Sequence, residues 1–87
     1  MELQWTDTDP ATGAKRFVRA TRFARQWRFD VRPRRRTDWG PAPLVTKTMW
    51  EDLLDALERR LPRREVTEAE VAAVRKQVDD YSDPPTA

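Results

Sequence analysis

The side chains able to do chemistry in this sequence are arginines and aromatic rings rather than the groups that catalysts use. The 87-residue chain has no Cys and no His, so it lacks a thiol nucleophile, the usual general base and the commonest metal ligands. It has 17 Lys and Arg residues, of which 14 are Arg, and four Trp. Arginine suits phosphate recognition, and ring faces suit stacking. We therefore expect a non-enzymatic protein that holds no metal and no cofactor.

The basic residues are concentrated in the first part of the chain. Residues 1–36 contain ten bases and four acids, whereas residues 37–87 contain seven bases and eleven acids. The formal net charge of +2 therefore conceals two halves of opposite sign. Phosphate recognition explains the arginine excess, and a GC-rich genome would produce the same bias, so both explanations stay open.

A candidate nucleic-acid site follows from the alternation of side chains in the basic half. Cations and rings alternate with apolar residues and then continue into a dense arginine run; the candidate residues are Lys15, Phe17, Arg19, Arg28, Arg32, Arg34, Arg35 and Arg36. Cations neutralise phosphates and release counterions, and rings stack on unpaired bases, so DNA or RNA is the favoured partner. A solvated face explains the same pattern, with Arg19 paired to Asp30 and Glu2 near Arg28.

Two phenylalanines support a second hypothesis from a different class. Phe17 and Phe23 belong to the same side of the predicted sheet as the cations, outside the predicted core. Together with a free edge on the first or third strand, they would suit a protein partner or a second copy of the chain. A protein-interaction module or homodimer is therefore the alternative to nucleic-acid binding.

The elements that must position these side chains begin with three strands. Alternation with a period of two predicts strands over about residues 2–8, 15–23 and 26–34. Pro10 and Gly13 indicate a hairpin loop between the first two strands. Ala24 and Arg25 form the second connection, although neither residue favours the positive φ of a two-residue turn. Because Pro33 lacks an N–H, we expect the third strand to be an edge.

The register implied by these turns places the apolar side chains on one face. The two expected rows are Leu3–Ala20–Phe29 and Trp5–Val18–Val31, joined by Trp27. A slip by one residue would send them to opposite faces, so the agreement between two separate turns favours this pairing.

Two helices are predicted after the sheet, over about residues 48–61 and 67–81. Thr48 and Thr67 each precede a Glu by three residues, which is the pattern of a capping box. Pro62 ends the first helix. Residues 82–87 are expected to form a flexible tail. Trp39 is expected to pin the connector over residues 35–47, the path of which the sequence does not determine.

These elements predict an α+β fold with the order β-β-β-α-α in two layers. A three-stranded antiparallel meander is expected to pack against a C-terminal helical hairpin in a single domain over residues 1–81. The first residues lack the basic and apolar regions of a signal peptide, and no apolar run approaches the roughly 20 residues that span a bilayer. We expect a cytoplasmic protein with no membrane partner.

Overall fold

A computed structural model describes residues 1–83. It contains an antiparallel sheet followed by two helices, which confirms the predicted α+β class. The elements are β1 (Glu2–Thr8), β2 (Lys15–Phe23), β3 (Gln26–Arg32), β4 (Gly40–Pro41), α1 (Lys47–Arg60) and α2 (Glu68–Asp80), with a 3₁₀ turn at Leu61–Arg63 between the helices. Residues 84–87 of the predicted tail lie outside the described residues.

The chain divides into two compact units, Met1–Pro43 and a second unit that begins at Leu44. The first holds the sheet and the second holds both helices. The single domain and the two-layer packing expected from the sequence stay predictions.

The sheet has the register that the sequence predicted. Trp5 lies opposite Val18, and Ala20 lies opposite both Leu3 and Phe29. The first hairpin closes where the Asp9 N–H donates to the carbonyl of Ala14 at 2.8 Å. Gly13 adopts a φ of +74° in this loop, a conformation that a side chain would make costly.

The second hairpin turns through two residues that are strained there. Ala24 has a φ of 50° and Arg25 a φ of 64°, the left-handed conformation that Asn and Gly adopt more readily. The pairing of Phe23 with Gln26 leaves only two residues for the turn. The apolar register on either side therefore overrides the local preference of these two residues.

The sheet has a fourth strand that the sequence analysis missed, so the expected three-stranded meander is incomplete. β3 ends at Arg32 rather than at residue 34, and β4 returns beside it, pairing Gly40 with Val31 and Pro41 with Asp30. The prediction that the third strand is a free edge is therefore wrong at these two residues. Pro33 has no N–H to donate to a neighbouring strand. The pairing of β3 with β4 accordingly involves Asp30 and Val31, which precede Pro33, and does not extend past it.

The two faces of the sheet differ sharply in polarity. On the apolar face Leu3, Val18, Ala20 and Phe29 are buried. The opposite face, which we call the polar face, carries the side chains of Glu2, Gln4, Thr6, Lys15, Phe17, Arg19, Thr21, Phe23, Arg28, Asp30 and Arg32. Strict alternation along each strand separates the two sets.

One ion pair lies on the apolar face at the end of the hydrophobic rows. Arg16 Nε is 2.7 Å from Asp7 Oδ1, and Arg16 Nη2 donates to Asp7 Oδ2 at 3.3 Å. The Arg16 side chain is 6% exposed and that of Asp7 14%. The parallel two-bond geometry satisfies charges that would otherwise be costly to bury.

Both helices begin at a threonine cap. Thr67 caps α2 as predicted, its hydroxyl accepting from the Glu70 N–H. The prediction for α1 is wrong by two residues, because Thr46 and not Thr48 accepts from the Met49 N–H, at 3.3 Å. Thr46 has the extended backbone of a cap, whereas Thr48 already lies inside the helix.

Each helix buries one stripe of apolar side chains. Met49, Leu53 and Leu57 are buried in α1, and Val71, Val74 and Val78 are buried in α2. Trp50 is half-buried, and the centre of its ring lies 6.2 Å from that of Tyr81.

The residues after α2 turn back to the start of the second unit. Tyr81 donates its hydroxyl to the Val45 carbonyl, and the Asp83 carboxylate accepts from the Lys47 N–H at 2.6 Å. The negative charge of Asp83 thereby lies at the N-terminus of α1, where the helix dipole favours it. Within residues 1–83, neither helix combines the length and apolar character needed to cross a bilayer.

Candidate nucleic-acid interface

Arginines and aromatic rings alternate across the polar face in a stack that we call the arginine ladder. Arg35 Cζ is 5.8 Å from the centre of the Phe17 ring, and Arg32 Cζ is 5.8 Å from the same ring. Arg32 Cζ is also 4.3 Å from the centre of the Trp39 ring, and Arg19 Cζ is 4.7 Å from it. The order along the ladder is Arg35, Phe17, Arg32, Trp39 and Arg19. These distances are in the range of cation–π attraction.

The sheet register brings four of these five side chains together, whereas Arg35 belongs to the turn after β3. Phe17 on β2 lies opposite Arg32 on β3, and Arg19 lies opposite Asp30. Trp39 immediately precedes β4, the pairing of which with Asp30 and Val31 brings this residue beside β3. The short β4 therefore completes the ladder.

Asp30 bonds to two arginines of the polar face, Arg19 and Arg28. Asp30 is 1% exposed. Its Oδ2 accepts from Arg19 Nη2 at 3.1 Å, and from Arg28 Nε and Nη2 at 3.3 Å each. The predicted pairing of Arg19 with Asp30 is confirmed. Glu2 and Arg28 both lie opposite Thr21, which places them near each other as expected, and Glu2 also lies 3.9 Å from Arg19. Burial of the carboxylate orders both guanidinium groups in one place.

The ladder orders its guanidinium groups without using all their donors. Among the described residues, the Nε atoms of Arg19 and Arg32 are buried and have no hydrogen-bond partner. The Arg28 side chain is 74% exposed despite its bonds to Asp30. In-plane donors on rigidly held arginines are what bidentate phosphate contacts require.

The polar face retains a positive excess after its internal pairs are counted. It carries four cations from the strands, and Arg35 adds a fifth, against the carboxylates of Glu2 and Asp30. Lys15, Arg34 and Arg36 are exposed. The turn after β3 is closed by the Thr37 N–H, which donates to the Arg34 carbonyl at 3.1 Å.

The sites predicted from the sequence fall into two places. Phe17, Arg19, Arg28 and Arg32 lie on the polar face, and Arg35 reaches it through Phe17. Phe23, which is 83% exposed, lies six residues further along β2 than Phe17, or about 20 Å at the rise of an extended strand. The two phenylalanines therefore do not form one apolar patch.

Trp39 is the residue that sequence reasoning did not assign to the site. Its signal was present, because a large aromatic residue preceding Gly-Pro in a connector seldom lacks a packing partner. The missing information was the β4 pairing, which involves only two residues.

The described residues contain no cluster of three or more acidic side chains arranged to hold a metal ion. Comparison with protein-family models finds no match to this chain, and neither do comparisons with curated proteins or with solved structures. The function of this protein must therefore be inferred from the chemistry of the polar face itself.

Proposed function

We propose that this protein is a small non-enzymatic module that binds nucleic acid through its polar face and the adjoining turn at Arg34–Arg36. The observation that carries the proposal is the position of Arg35 over the Phe17 ring. It supports the interpretation that the arginine run and the cations of the sheet form one surface, as the sequence predicts. A continuous basic surface can follow a phosphate backbone over several nucleotides.

The ordering of the arginines supports binding over mere solvation. A flexible arginine loses rotamer freedom when it binds phosphate, and this loss opposes affinity. Arg19 and Arg32 are already held against Trp39, and Arg28 is held by Asp30. Less rotamer entropy is therefore lost when these guanidinium groups bind a phosphate.

A salt titration tests the proposal directly. Binding of single- and double-stranded DNA and RNA is measured by fluorescence anisotropy at several salt concentrations. Contact with about five phosphates predicts that log K falls with log salt at a slope of about −4 to −5. Absence of binding to every one of these ligands at low salt would overturn the proposal.

Arg34→Glu together with Arg36→Glu is the variant best suited to the test. Both residues are exposed, so the substitutions spare the core. Reversal of Arg19 would be a poor choice, because a glutamate there would lie against the buried carboxylate of Asp30. Loss of two phosphate contacts should weaken binding and reduce the magnitude of the slope by about 2.

A protein partner or homodimer is the second candidate, and the position of β1 favours it. β1 is first in the sheet order, so one of its edges has no partner strand within residues 1–83. Met1 and Asp9 bond to β2, which by antiparallel alternation turns the main-chain groups of Gln4 and Thr6 towards that edge. Sedimentation over a concentration series tests self-association, and a strict monomer would overturn the homodimer.

The proposal includes a cytoplasmic location, where nucleic acid is accessible. It is supported by the lack of Cys in the sequence, because small secreted domains commonly depend on disulfides. Fractionation of cells that express the tagged protein tests it, and recovery in a secreted fraction would contradict it.

A further inference from the structure

A shallow groove lies at the tip of the second hairpin, at the end of the polar face remote from Phe17. Thr21, Phe23, Gln26, Trp27 and Arg28 line it. Phe23 is 83% exposed, although the chain buries aromatic residues elsewhere, as with Phe29 at 3%. An aromatic ring with most of its surface in water contributes little to folding. Its surroundings combine a second aromatic ring, that of Trp27, with one hydroxyl, one amide and one guanidinium.

The turn beside this groove is strained in a way that folding alone does not require. Ala24 and Arg25 both have positive φ, where Asn and Gly would be less costly. Strained conformations persist preferentially at sites of function. The strained turn carries an exposed arginine, Arg25, two residues after Phe23, where a glycine would supply no cation.

We propose that this hairpin tip is a base-stacking site for single-stranded nucleic acid, a proposal that rests on the function proposed above. Phe23 stacks on one unpaired base. The Gln26 amide and the Arg28 guanidinium face the same groove and can bond to the edge of that base or to its phosphate. The backbone then continues over the arginine ladder towards Arg35.

The chemistry of the groove favours a single strand over a duplex. The bases of a duplex are already stacked on each other, so their faces are closed to Phe23, whereas unpaired bases can be turned out onto a ring. Phosphate contacts alone do not distinguish the two. A protein partner would also bury Phe23 and the neighbouring Trp27, but it would have to supply polar groups for Gln26 and for the 74% exposed Arg28, which a base edge and a phosphate already provide.

The test crosses a protein variant with a ligand variant. The full chain and its Phe23→Leu variant are titrated with a single-stranded homopolymer oligonucleotide and with an oligonucleotide of equal length in which the bases are replaced by abasic sites. Leu keeps the apolar character but cannot stack as a ring does, and abasic sites keep every phosphate. Phe23→Trp is the matched rescue variant, and circular dichroism checks the fold of each protein.

Stacking predicts that the full chain prefers the natural oligonucleotide to the abasic one by about 5- to 150-fold. Phe23→Leu should lose at least about fivefold on the natural oligonucleotide and nothing on the abasic one, and Phe23→Trp should recover the difference. Any smaller loss for Phe23→Leu, or an equal loss on both ligands, overturns the stacking site. In that case salt-dependent binding of both oligonucleotides would leave the proposed function standing. If neither oligonucleotide binds at low salt, the proposed function fails as well.

Discussion

Asp30 shows how a buried acid can organise a basic surface. Its carboxylate is almost inaccessible, and it bonds to the guanidinium groups of Arg19 and Arg28. One negative charge is thereby used to order two positive ones. It also neutralises part of the charge that a phosphate would meet, so order and charge oppose each other at this residue.

Asp30→Asn separates these two effects. Asn keeps the shape and removes the charge, so Arg28 becomes available to phosphate. We expect tighter binding at low salt and a salt slope about one unit steeper, together with a loss of about 1–2 kcal/mol in the free energy of unfolding. The loss is moderate because Arg28 is 74% exposed and its pair is screened by solvent. Salt titration and urea unfolding measure the two effects, and weaker binding by a folded variant would contradict the expectation.

Asp7 and Arg16 allow a prediction about stability alone. Asp7→Ala removes the carboxylate from a guanidinium with a side chain only 6% exposed, which should lower the free energy of unfolding by about 3 kcal/mol. Replacing both partners, with Asp7→Leu and Arg16→Met, should cost less, because no charge is then left buried. Urea unfolding measures both. A double variant as unstable as the single one would show that the pair matters for more than charge compensation.

At the scale of elements, the first helix tests the position of its cap. Thr46→Ala should lower the free energy of unfolding by about 1 kcal/mol, because the Met49 N–H loses its side-chain acceptor. Thr48→Ala is the matched control and should change it by less than about 0.5 kcal/mol, since this exposed residue lies within the helix. Thermal and urea unfolding compare the two variants. A larger loss of stability for Thr48→Ala than for Thr46→Ala would show that Thr48 is the cap, as the sequence predicted.

The second hairpin tests whether its strained turn serves binding. Arg25→Gly should raise the free energy of unfolding by about 1 kcal/mol, because glycine adopts a φ of 64° without a steric penalty. The same substitution removes a cation beside Phe23, so the variant should bind the single-stranded oligonucleotide less tightly. A higher free energy of unfolding with unchanged affinity for the oligonucleotide would show that this turn does not contribute to the proposed stacking site. Gly13→Ala is the converse control, and it should be destabilising because Gly13 has a φ of +74°.

For the whole molecule, the distribution of charge matters more than its total. The first unit, residues 1–43, contains ten bases and five acids, whereas the second contains seven bases and ten acids. Net charge alone would treat every exposed base as equivalent. The proposed interface assigns binding to the bases of the first unit.

Two variants of equal net charge test this assignment. Arg34→Glu with Arg36→Glu alters the proposed interface, and Arg63→Glu with Lys76→Glu makes the same charge change at exposed positions of the second unit. The first pair should weaken binding at least about tenfold, and the second should change it by less than about threefold, because only the first removes phosphate contacts of the proposed interface. Anisotropy titrations compare them, and equal losses would show that total charge and not the polar face drives binding.

The sequence alone determined what depends on local spacing. Alternation placed Leu3, Val18 and Phe29 on one face, and the two turns set a register that holds through the first three strands. It also determined the cap at Thr67, because a threonine three residues before a glutamate is a local pattern. The pairing of Arg19 with Asp30 followed as well, because the register decides which residues lie opposite each other.

Only the tertiary structure decided what depends on contacts between distant segments. β4 contains two residues, too few for any periodic signal, so its pairing and the position of Trp39 could not be derived from alternation. Thr46 and Thr48 are chemically alike, and only the packed stripe of Met49, Leu53 and Leu57 shows at which of them α1 begins. The arginine ladder connects Arg19 to Arg32 because the β4 pairing, which sequence spacing does not reveal, brings Trp39 between them.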